Sequence, residues 1–326
     1  MTRPARLRLG MVGGGIGAFI GAVHRISARL DDHYTLVAGA LSATPERAAA
    51  SAAALGLDPA RSYPDFEQMA AGEAARPDGI EVVAIVTPNH LHAPAALAFL
   101  ARGIDVICDK PLAATLAEAE ALAQAVAASG LVFGLTHNYS GYPMVREARA
   151  MVAAGELGAL RVIQVEYAQD WLATPLEASG QKQAAWRTDP AQTGPAGALA
   201  DIGSHAYHLA RFVSGLRCEA VAAECTRFVP GRRVDDNVQC MLRFERGARG
   251  ALWVSQVALG HACGLALRVM GEKAALSWQQ ETPETLTLTR LGEPARVLRR
   301  AGARGVAPRA ISSRICTNCA GSLKLR

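Results

Sequence analysis

The sequence predicts an α/β protein in two parts: a doubly wound parallel sheet over residues 1–138 and an α+β domain with an open, mostly antiparallel sheet over residues 139–298. The first part repeats a short apolar run, a turn and an alanine-rich helical stretch, which is typical of parallel strands joined by helices. In the second part the runs are longer and richer in β-branched residues, with short turns that favour antiparallel pairing.

Five strands and four helices are predicted in the first part. The run Val82–Val86 is apolar without alternation, as expected for a parallel strand covered on both faces. The strands are expected at Leu7–Val12, Thr35–Ala40, Ile80–Val86, Ile104–Cys108 and Leu131–Leu135, and the helices at Ala18–Leu30, Pro45–Leu55, Ala93–Ala101 and Thr115–Ser129.

The second part begins with a helix and a strand, followed by a polar stretch over 169–196 and a second helix. These helices are expected at Tyr142–Ala154 and Asp201–Val213, and the first strand at Leu160–Ala168. Further strands are expected at 217–229, Asn237–Phe244, Gly250–Ala258, Ala262–Met270, Ala274–Trp278 and Thr285–Thr289.

Composition excludes several classes of protein. Of the 326 residues 50% are hydrophobic and 19% are charged, which excludes a disordered or low-complexity chain. No apolar run reaches the roughly 18–20 residues of a membrane helix, and the N-terminus lacks the apolar region of a signal peptide. The seven scattered cysteines indicate free thiols in a reducing compartment. We therefore expect a cytoplasmic protein without a membrane partner.

The net charge of +5 comes from one segment near the C-terminal end of the sequence. Eight Lys and Arg residues follow Glu293, where no acidic residue occurs, and without them the rest of the chain has a net charge of −3. This basic segment carries no aromatic residue on which a base could stack. We therefore expect no nucleic-acid partner.

A glycine-rich segment separates the first strand from the first helix. Gly13, Gly15 and Ala18 satisfy the pattern G-x-G-x-x-G/A in the strand–turn–helix context that it requires. Glycine lets the backbone turn tightly and lets a pyrophosphate approach the unpaired amides at the start of the helix. An ordinary glycine-rich turn is the alternative. We expect Gly13, Gly15 and Ile16 to bind a dinucleotide.

The turn after the second strand bears on the choice of cofactor. No acidic residue stands at this turn to bind the ribose hydroxyl of NAD. Ser42 and Arg47 could instead contact the 2′-phosphate of NADP, although a helix cap and a solvated first turn explain the same residues. NADP is therefore favoured only slightly over NAD.

Three further clusters carry polar side chains: Thr87–His92 after the third strand, Asp109–Pro111 after the fourth, and Asp201–His205 at a helix start. Taken singly, each has an ordinary explanation: a loop with a cap, a solvated lysine before a proline turn, and a capped helix with a surface histidine.

Together, in this order, the motifs resemble the glucose–fructose oxidoreductase / inositol dehydrogenase / MocA family of NAD(P)-dependent oxidoreductases. The matching segments are the glycine loop, TPNxxH, a DKP in place of the more usual EKP, and DxGxH, within about residues 7–290. Gly13–Gly21 with His24, and Thr136–Tyr139, look like a bacterial sugar-dehydrogenase-like branch.

The resemblance implies a Rossmann domain, a second domain whose open sheet often mediates homodimers or homotetramers, and a sugar or cyclitol substrate. It implies Lys110, Asp201 and His205 as catalytic residues, and a cis peptide before Pro111. The i, i+4 spacing puts Asp201 and His205 on one helical face. The expected cofactor contacts are Thr87, Pro88, Asn89, His92, Lys110 and Asn138, and the expected substrate contacts are Trp186, Arg187, Asp201 and His205.

Three other functions remain open at this point: a dinucleotide-binding regulator without turnover, an NAD-dependent glycosidase of the same superfamily, and a zinc protein using Cys316 and Cys319. The last has little support, because one C-x-x-C without a second ligand pair is a poor metal site. The basic tail over 299–326 lacks the closing helix that the resemblance implies. It indicates a shifted reading frame, a premature end or a divergent terminus.

Overall fold

The computed structural model describes residues 6–300 except residue 31, and the chain divides into two compact units between Asn138 and Tyr139. From residue 301 onward, the predicted basic tail with Cys316 and Cys319 lies outside the described residues.

The first unit is built on a parallel sheet of five strands, which confirms the doubly wound fold. The strands are β1 (Leu7–Gly13), β2 (Tyr34–Ala40), β3 (Val82–Val86), β4 (Asp105–Cys108) and β5 (Phe133–Leu135). Their order is β2-β1-β3-β4-β5. The chain therefore reverses direction across the sheet between β1 and β3, which is where an open α/β sheet binds its ligands.

Among the described residues, five α-helices accompany this sheet: α1 (Phe19–Leu30), α2 (Pro45–Ala54), α3 (Phe66–Ala74), α4 (His92–Leu100) and α5 (Leu116–Ser129). Helix α3 was not among the predicted helices. Asp65 caps it by accepting a hydrogen bond from the Gln68 amide. Every residue of β3 is buried, because hydrophobic clusters lie on both faces of the sheet. Among the described residues, no helix is long and apolar enough to cross a membrane.

The second unit contains an eight-stranded sheet and, among the described residues, four α-helices. The helices are α6 (Pro143–Ala153), α7 (Lys182–Arg187), α8 (Pro190–Thr193) and α9 (Ser204–Ser214). The strands are β6 (Leu160–Ala168), β7 (Cys218–Thr226), β8 (Asn237–Phe244), β9 (Arg249–Ser255), β10 (Gly264–Gly271), β11 (Ala274–Gln279), β12 (Thr285–Arg290) and β13 (Arg296–Arg299).

The strand order is β13-β12-β11-β10-β6-β9-β8-β7. Only the central β6–β9 pair among these strands is parallel, so the mostly antiparallel sheet is confirmed. Helices α6 and α9 share one hydrophobic core with the face of the sheet that they cover. The opposite face is open: β8 alternates buried and exposed residues, and Val221 and Met241 are 63% and 71% exposed.

The second predicted helix begins later than the sequence suggested. A π-helical turn over Leu199–Gly203 precedes α9, and the Ser204 amide closes this turn on the Leu199 carbonyl. Asp235 holds its start, because its carboxylate accepts hydrogen bonds from the Gly197 and Leu199 amides, both at 2.8 Å. Asp201 therefore lies in the π-helical turn and His205 in the first turn of α9.

Candidate active site

In the first unit, the predicted cofactor contacts follow the carboxyl ends of the five parallel strands. Because those ends share one edge of the sheet, residues far apart in sequence are collected there. In the order of the sequence, these residues are Gly13, Gly15, Ile16, Ser42, Arg47, Thr87, Pro88, Asn89, His92, Lys110 and Asn138.

The glycine loop between β1 and α1 leaves no room for side chains at two of its positions. A Cβ on Gly13 would lie 2.9 Å from the Val86 carbonyl oxygen, and one on Gly15 would lie 2.6 Å from both the Leu41 carbonyl oxygen and Ser51 Oγ. Gly13 also has a φ of 78°, which glycine adopts without strain. The loop therefore requires glycine at both positions.

Helix α1 packs closely on this loop. A Cβ on Gly21 would lie 2.3 Å from the Cα of Gly14, so the close contact of helix and loop depends on Gly21 as well as on the predicted motif. Arg25, one turn later, donates a 2.7 Å hydrogen bond to the Gly14 carbonyl. Both contacts hold the start of α1 against the end of β1.

The Ile16 amide is paired within the protein, although the amides of the glycine loop were expected to be unpaired. It donates a 3.0 Å hydrogen bond to the hydroxyl of Ser51, a buried residue of α2. That hydroxyl donates in turn to the Arg47 carbonyl. Ile16 therefore offers a ligand its side chain, which is 55% exposed, while its amide is satisfied within the protein.

Ser42 and Arg47 both lie beside the glycine loop. The Arg47 guanidinium donates to the Ile16 carbonyl at 3.2 Å, and Ser42 Oγ accepts from the Thr44 amide at 3.2 Å. The arginine is exposed and the serine is half-buried. Ser42 thus turns the chain into α2, and Arg47 supplies a positive charge next to the loop.

Thr87, directly after β3, carries a buried hydroxyl. Its Oγ1 is hidden from solvent and has no hydrogen-bond partner among the described residues. Its methyl group is one of the atoms that a Cβ on Gly13 would approach, at 3.1 Å. A buried hydroxyl without a partner is costly, so its position beside the glycine loop points to a ligand that completes it.

His92 occupies a different place from the one expected of a cofactor contact. The ring is 1% exposed, and its Nδ1 and Nε2 lie 2.6 Å and 2.9 Å from the carbonyl oxygens of Pro111 and Thr87. Burial lowers the pKa of this imidazole. Both ring nitrogens face backbone, so His92 joins the loops after β3 and β4 and has no ring nitrogen left for a ligand.

Lys110 lies in the loop that Asp109 organises. The Asp109 carboxylate accepts a 2.9 Å hydrogen bond from the Lys110 amide and a 2.7 Å hydrogen bond from the Thr136 hydroxyl. The Lys110–Pro111 peptide bond is cis, as the resemblance implied. The aspartate of DKP thus ties the lysine backbone to the end of β5.

These features of the first unit fit a dinucleotide. The glycine positions provide a surface free of side chains, and Thr87 contributes a buried hydroxyl that needs a partner. Arg47 adds positive charge beside the loop, where phosphates are expected to lie.

In the second unit Asp201 receives two side-chain donors on one oxygen. Its Oδ2 accepts from Arg187 Nε at 3.1 Å and from Gln256 Nε2 at 2.9 Å. Arg187 lies at the end of α7 and Gln256 directly follows β9, so the structure joins three distant segments at this carboxylate. The predicted residues Asp201 and Arg187 are neighbours, and Gln256 was not predicted.

Arg187 is also held by aromatic side chains. Its guanidinium carbon lies 4.1 Å from the ring centre of Trp186 and 5.9 Å from that of Trp171. The side chain of Gln183 accepts a 2.6 Å hydrogen bond from Arg187 Nη1. Stacked planar cations and indoles provide the mixed polar and apolar surface that a sugar ring prefers.

His205 is buried against two tyrosines. Its ring meets that of Tyr139 nearly at right angles, with the centroids 4.9 Å apart, and lies 6.3 Å from that of Tyr167. The two tyrosine hydroxyls are 2.5 Å apart, and the Tyr167 hydroxyl lies 3.2 Å from Cys263 Sγ. Burial raises the pKa of both tyrosines, so both stay neutral and hold the imidazole through ring contacts.

Comparison with known proteins gives a consistent picture over both units. Residues 7–137 match the family described as "Oxidoreductase family, NAD-binding Rossmann fold", and residues 145–277 match the "GFO/IDH/MocA C-terminal domain". These two matches together cover most of the chain.

Relatives with known structure or activity agree with this match. The crystal structure of an oxidoreductase from Sinorhizobium meliloti is 54% identical, with a TM-score of 0.87 over 96% of this chain and 83% of that chain. An inositol dehydrogenase homologue from Azotobacter vinelandii, complexed with NADH and myo-inositol, is 36% identical, with a TM-score of 0.85 over 91% and 76%. The levoglucosan dehydrogenase of Pseudarthrobacter phenanthrenivorans is 30% identical over 86% of this chain and 75% of its own.

Proposed function

The chain belongs to the GFO/IDH/MocA family of NAD-binding oxidoreductases, and from this premise we propose that it transfers a hydride between NAD(P) and a secondary alcohol of a sugar or cyclitol. The observation that carries this proposal is the Asp201 cluster. A carboxylate, a guanidinium and two indoles lie together one turn from a buried histidine, which suits a ligand rich in hydroxyl groups.

The bound nicotinamide supplies the acceptor or donor of the hydride. His205 accepts the proton of the alcohol as the general base. Lys110 is the proposed oxyanion-stabilising group. Asp201, fixed through Oδ2 by Arg187 and Gln256, orients the substrate or the imidazole.

Trp186 and Arg187 bind the sugar in this proposal. The indole offers an apolar face to the C–H groups of a ring, and the guanidinium offers hydrogen-bond donors to its oxygens. Relatives supply chemical support, since one named structure contains myo-inositol and another relative is named for levoglucosan.

The proposed preference of the cofactor site for NADP over NAD is slight. Arg47 beside the glycine loop and the absence of an acid after β2 support NADP, whereas the inositol dehydrogenase homologue contains NADH. We therefore keep NAD(P) as the cofactor, with NADP slightly favoured, and expect Thr87, Pro88, Asn89, Lys110 and Asn138 to line it.

We also propose a cytoplasmic homodimer or homotetramer. The open face of the second sheet, with Val221 and Met241 exposed, supports self-association. The free thiols among the described cysteines support a reducing compartment.

A panel of sugars and inositols tested with NAD and with NADP checks activity, cofactor and substrate class together. We expect reduction of the nicotinamide, followed by its near-ultraviolet absorbance, with at least one polyol. A regulator would bind cofactor without reducing it, and a glycosidase would release free sugar from a glycoside with no net reduction. Either result would contradict the proposed dehydrogenase.

Replacing the proposed general base tests the mechanism. We expect His205→Ala to lower kcat about 10²–10⁴ fold, which is the usual contribution of a general acid–base group. The exposed His261 provides a matched control, and His261→Ala should retain the wild-type rate. A His205→Ala enzyme with full activity and an unchanged pH profile would remove His205 from the mechanism.

A further inference from the structure

Gln256 is a buried amide that nothing in the sequence motifs predicts. It follows the last residue of β9 and is 2% exposed. Its backbone is fixed on both sides, because its amide donates to the Asp236 carbonyl at 2.8 Å and its carbonyl accepts from the Leu172 amide at 3.0 Å. A side chain that starts from so rigid a backbone has little freedom to turn away.

The two polar ends of the Gln256 side chain differ in their surroundings. Its Nε2 donates to Asp201 Oδ2 at 2.9 Å, which also fixes the orientation of the amide, since a carboxylate only accepts. Its Oε1 makes no hydrogen bond with any residue in the described part of the chain. This oxygen is not among the solvent-hidden side-chain atoms that lack a partner, so it reaches solvent and is open to a ligand.

Arg187 shows the complementary pattern on the same carboxylate. Its Nε binds Asp201 Oδ2 and its Nη1 binds Gln183, whereas its Nη2 has no partner in the residues that the structure describes. Because Gln256 and Arg187 contact one oxygen atom, they are neighbours. The cluster therefore presents an acceptor, Gln256 Oε1, beside a donor, Arg187 Nη2.

We propose that Gln256 binds the substrate directly, by accepting a hydrogen bond from one of its hydroxyl groups through Oε1. This inference rests on the proposed polyol dehydrogenase and names a residue that determines its specificity. An acceptor fixed in this way selects a free hydroxyl at one ring position and rejects a deoxy or O-methyl group there. Arg187 Nη2 donates to an oxygen of the same substrate.

A purely structural role makes a different prediction. If Gln256 only holds Asp201 through Nε2, its loss weakens the binding of all polyols equally. If its Oε1 contacts one hydroxyl, its loss also removes the discrimination between the parent polyol and the analogue that lacks that hydroxyl. The coupling between one side chain and one substrate group therefore separates the two roles.

The experiment measures the binding of myo-inositol, D-glucose and their monodeoxy analogues by titration calorimetry in the presence of reduced cofactor. For the wild type we expect one analogue to bind about ten- to hundredfold more weakly than its parent. In Gln256→Met, which keeps the length of the side chain, we expect this ratio to fall to about threefold or less. Gln239 is exposed on β8, and Gln239→Met should keep the wild-type ratio.

Two results would overturn the inference, and they have different consequences for the proposed dehydrogenase activity. If Gln256→Met binds every polyol more weakly but keeps the wild-type ratios, Gln256 only supports Asp201, while the dehydrogenase proposal stands. If the wild type neither binds nor oxidises any polyol, the proposed function fails and the inference fails with it. Circular dichroism and thermal unfolding of both variants confirm that folded proteins are compared.

Discussion

His208 is a histidine whose surroundings oppose its protonation. It lies in α9, where its ring stacks on Phe212 with the centroids 5.8 Å apart. Burial, together with the positive charges of Arg211 and Arg149, lowers the pKa of His208 to about 4. An unfolded histidine titrates near 6.5, so the folded state binds this proton less readily than the unfolded state.

This difference predicts how stability depends on pH. The contribution of neutral His208 to the free energy of unfolding is complete above pH 6.5. It is lost progressively as the pH falls from 6.5 toward 4, because the unfolded chain takes up the proton first. The variant His208→Gln cannot take up this proton. Between pH 7 and pH 5 we expect it to lose about 1 kcal/mol less stability than the wild type, with partial exposure taken into account.

Urea unfolding at both pH values measures this effect. The exposed His261 supplies the control variant His261→Gln, which should follow the wild-type pH dependence. Identical pH dependence in His208→Gln and the wild type would show that His208 does not carry the effect.

At the residue scale, the sequence could predict the groups that stand inside local motifs. Lys110, Asp201 and His205 belong to the local motifs DKP and DxGxH, and their catalytic roles stay predictions. Ser51 and Gln256 could not be predicted, because their partners lie 35 and 55 residues away and only the fold brings them together. His92 is the opposite case, since its motif suggested a ligand contact and its burial between two carbonyls gave it a structural role.

At the scale of elements, Arg232 fastens the polar stretch after β6 to the loop before β8. Its side chain is 1% exposed, and it binds Glu177 through two nitrogens, Asp236 at 3.3 Å, and the carbonyls of Leu172 and Thr174. Leu172 follows Trp171, whose ring lies beside Arg187. The buried arginine therefore positions one wall of the candidate substrate site.

Removal of this arginine should be strongly destabilising. Arg232→Met leaves Glu177 and the buried Asp236 without their cation, and we expect it to lower the free energy of unfolding by about 3–5 kcal/mol. The neighbouring Arg233 is exposed and, among the residues that the structure describes, forms an ion pair with Asp189 alone. Arg233→Met should therefore cost about 0–1 kcal/mol. Chemical denaturation compares the two variants, and equal losses of stability would contradict the structural role assigned to Arg232.

An intermediate variant keeps this test informative if Arg232→Met does not fold. Lysine retains the charge but cannot reproduce the forked contact with Glu177. We expect Arg232→Lys to fold and to lie between Arg232→Met and the wild type in stability. An Arg232→Lys protein as stable as the wild type would show that the forked geometry contributes nothing.

The elements themselves were predictable to different degrees. Apolar runs located the ten strands β1 to β6 and β8 to β11 within a few residues, because buried strands exclude polar side chains. The short strand β13 has exposed residues at three of its four positions, and a strand without a buried face leaves no apolar pattern. The π-helical turn before α9 depends on Asp235, which is distant in sequence, so local periodicity predicted an ordinary helix instead.

At the scale of the whole molecule, cofactor binding is proposed for the first unit and substrate binding for the second. The first unit contains the glycine loop and Thr87, which fit a dinucleotide, and the second contains the Asp201 cluster, which fits a polyol. Each unit has hydrophobic clusters of its own. The change of sequence pattern near residue 140 predicts two domains of these kinds, because parallel and antiparallel sheets need different connections.

Hydrogen exchange of the complete chain tests this division, because each ligand should protect the unit that binds it. With NADH at about 100 times its Kd, binding adds about 2.7 kcal/mol to the free energy of unfolding of the segments that bind it. Amides around Gly13–Ile16 and Thr87 should then exchange up to about a hundredfold more slowly. Addition of myo-inositol or D-glucose should slow exchange around Trp171 and Gln256. If NADH instead protects the Trp171 and Gln256 segments and leaves the glycine loop unchanged, the cofactor does not bind at the carboxyl edge of the parallel sheet, and the assignment of the two units is wrong.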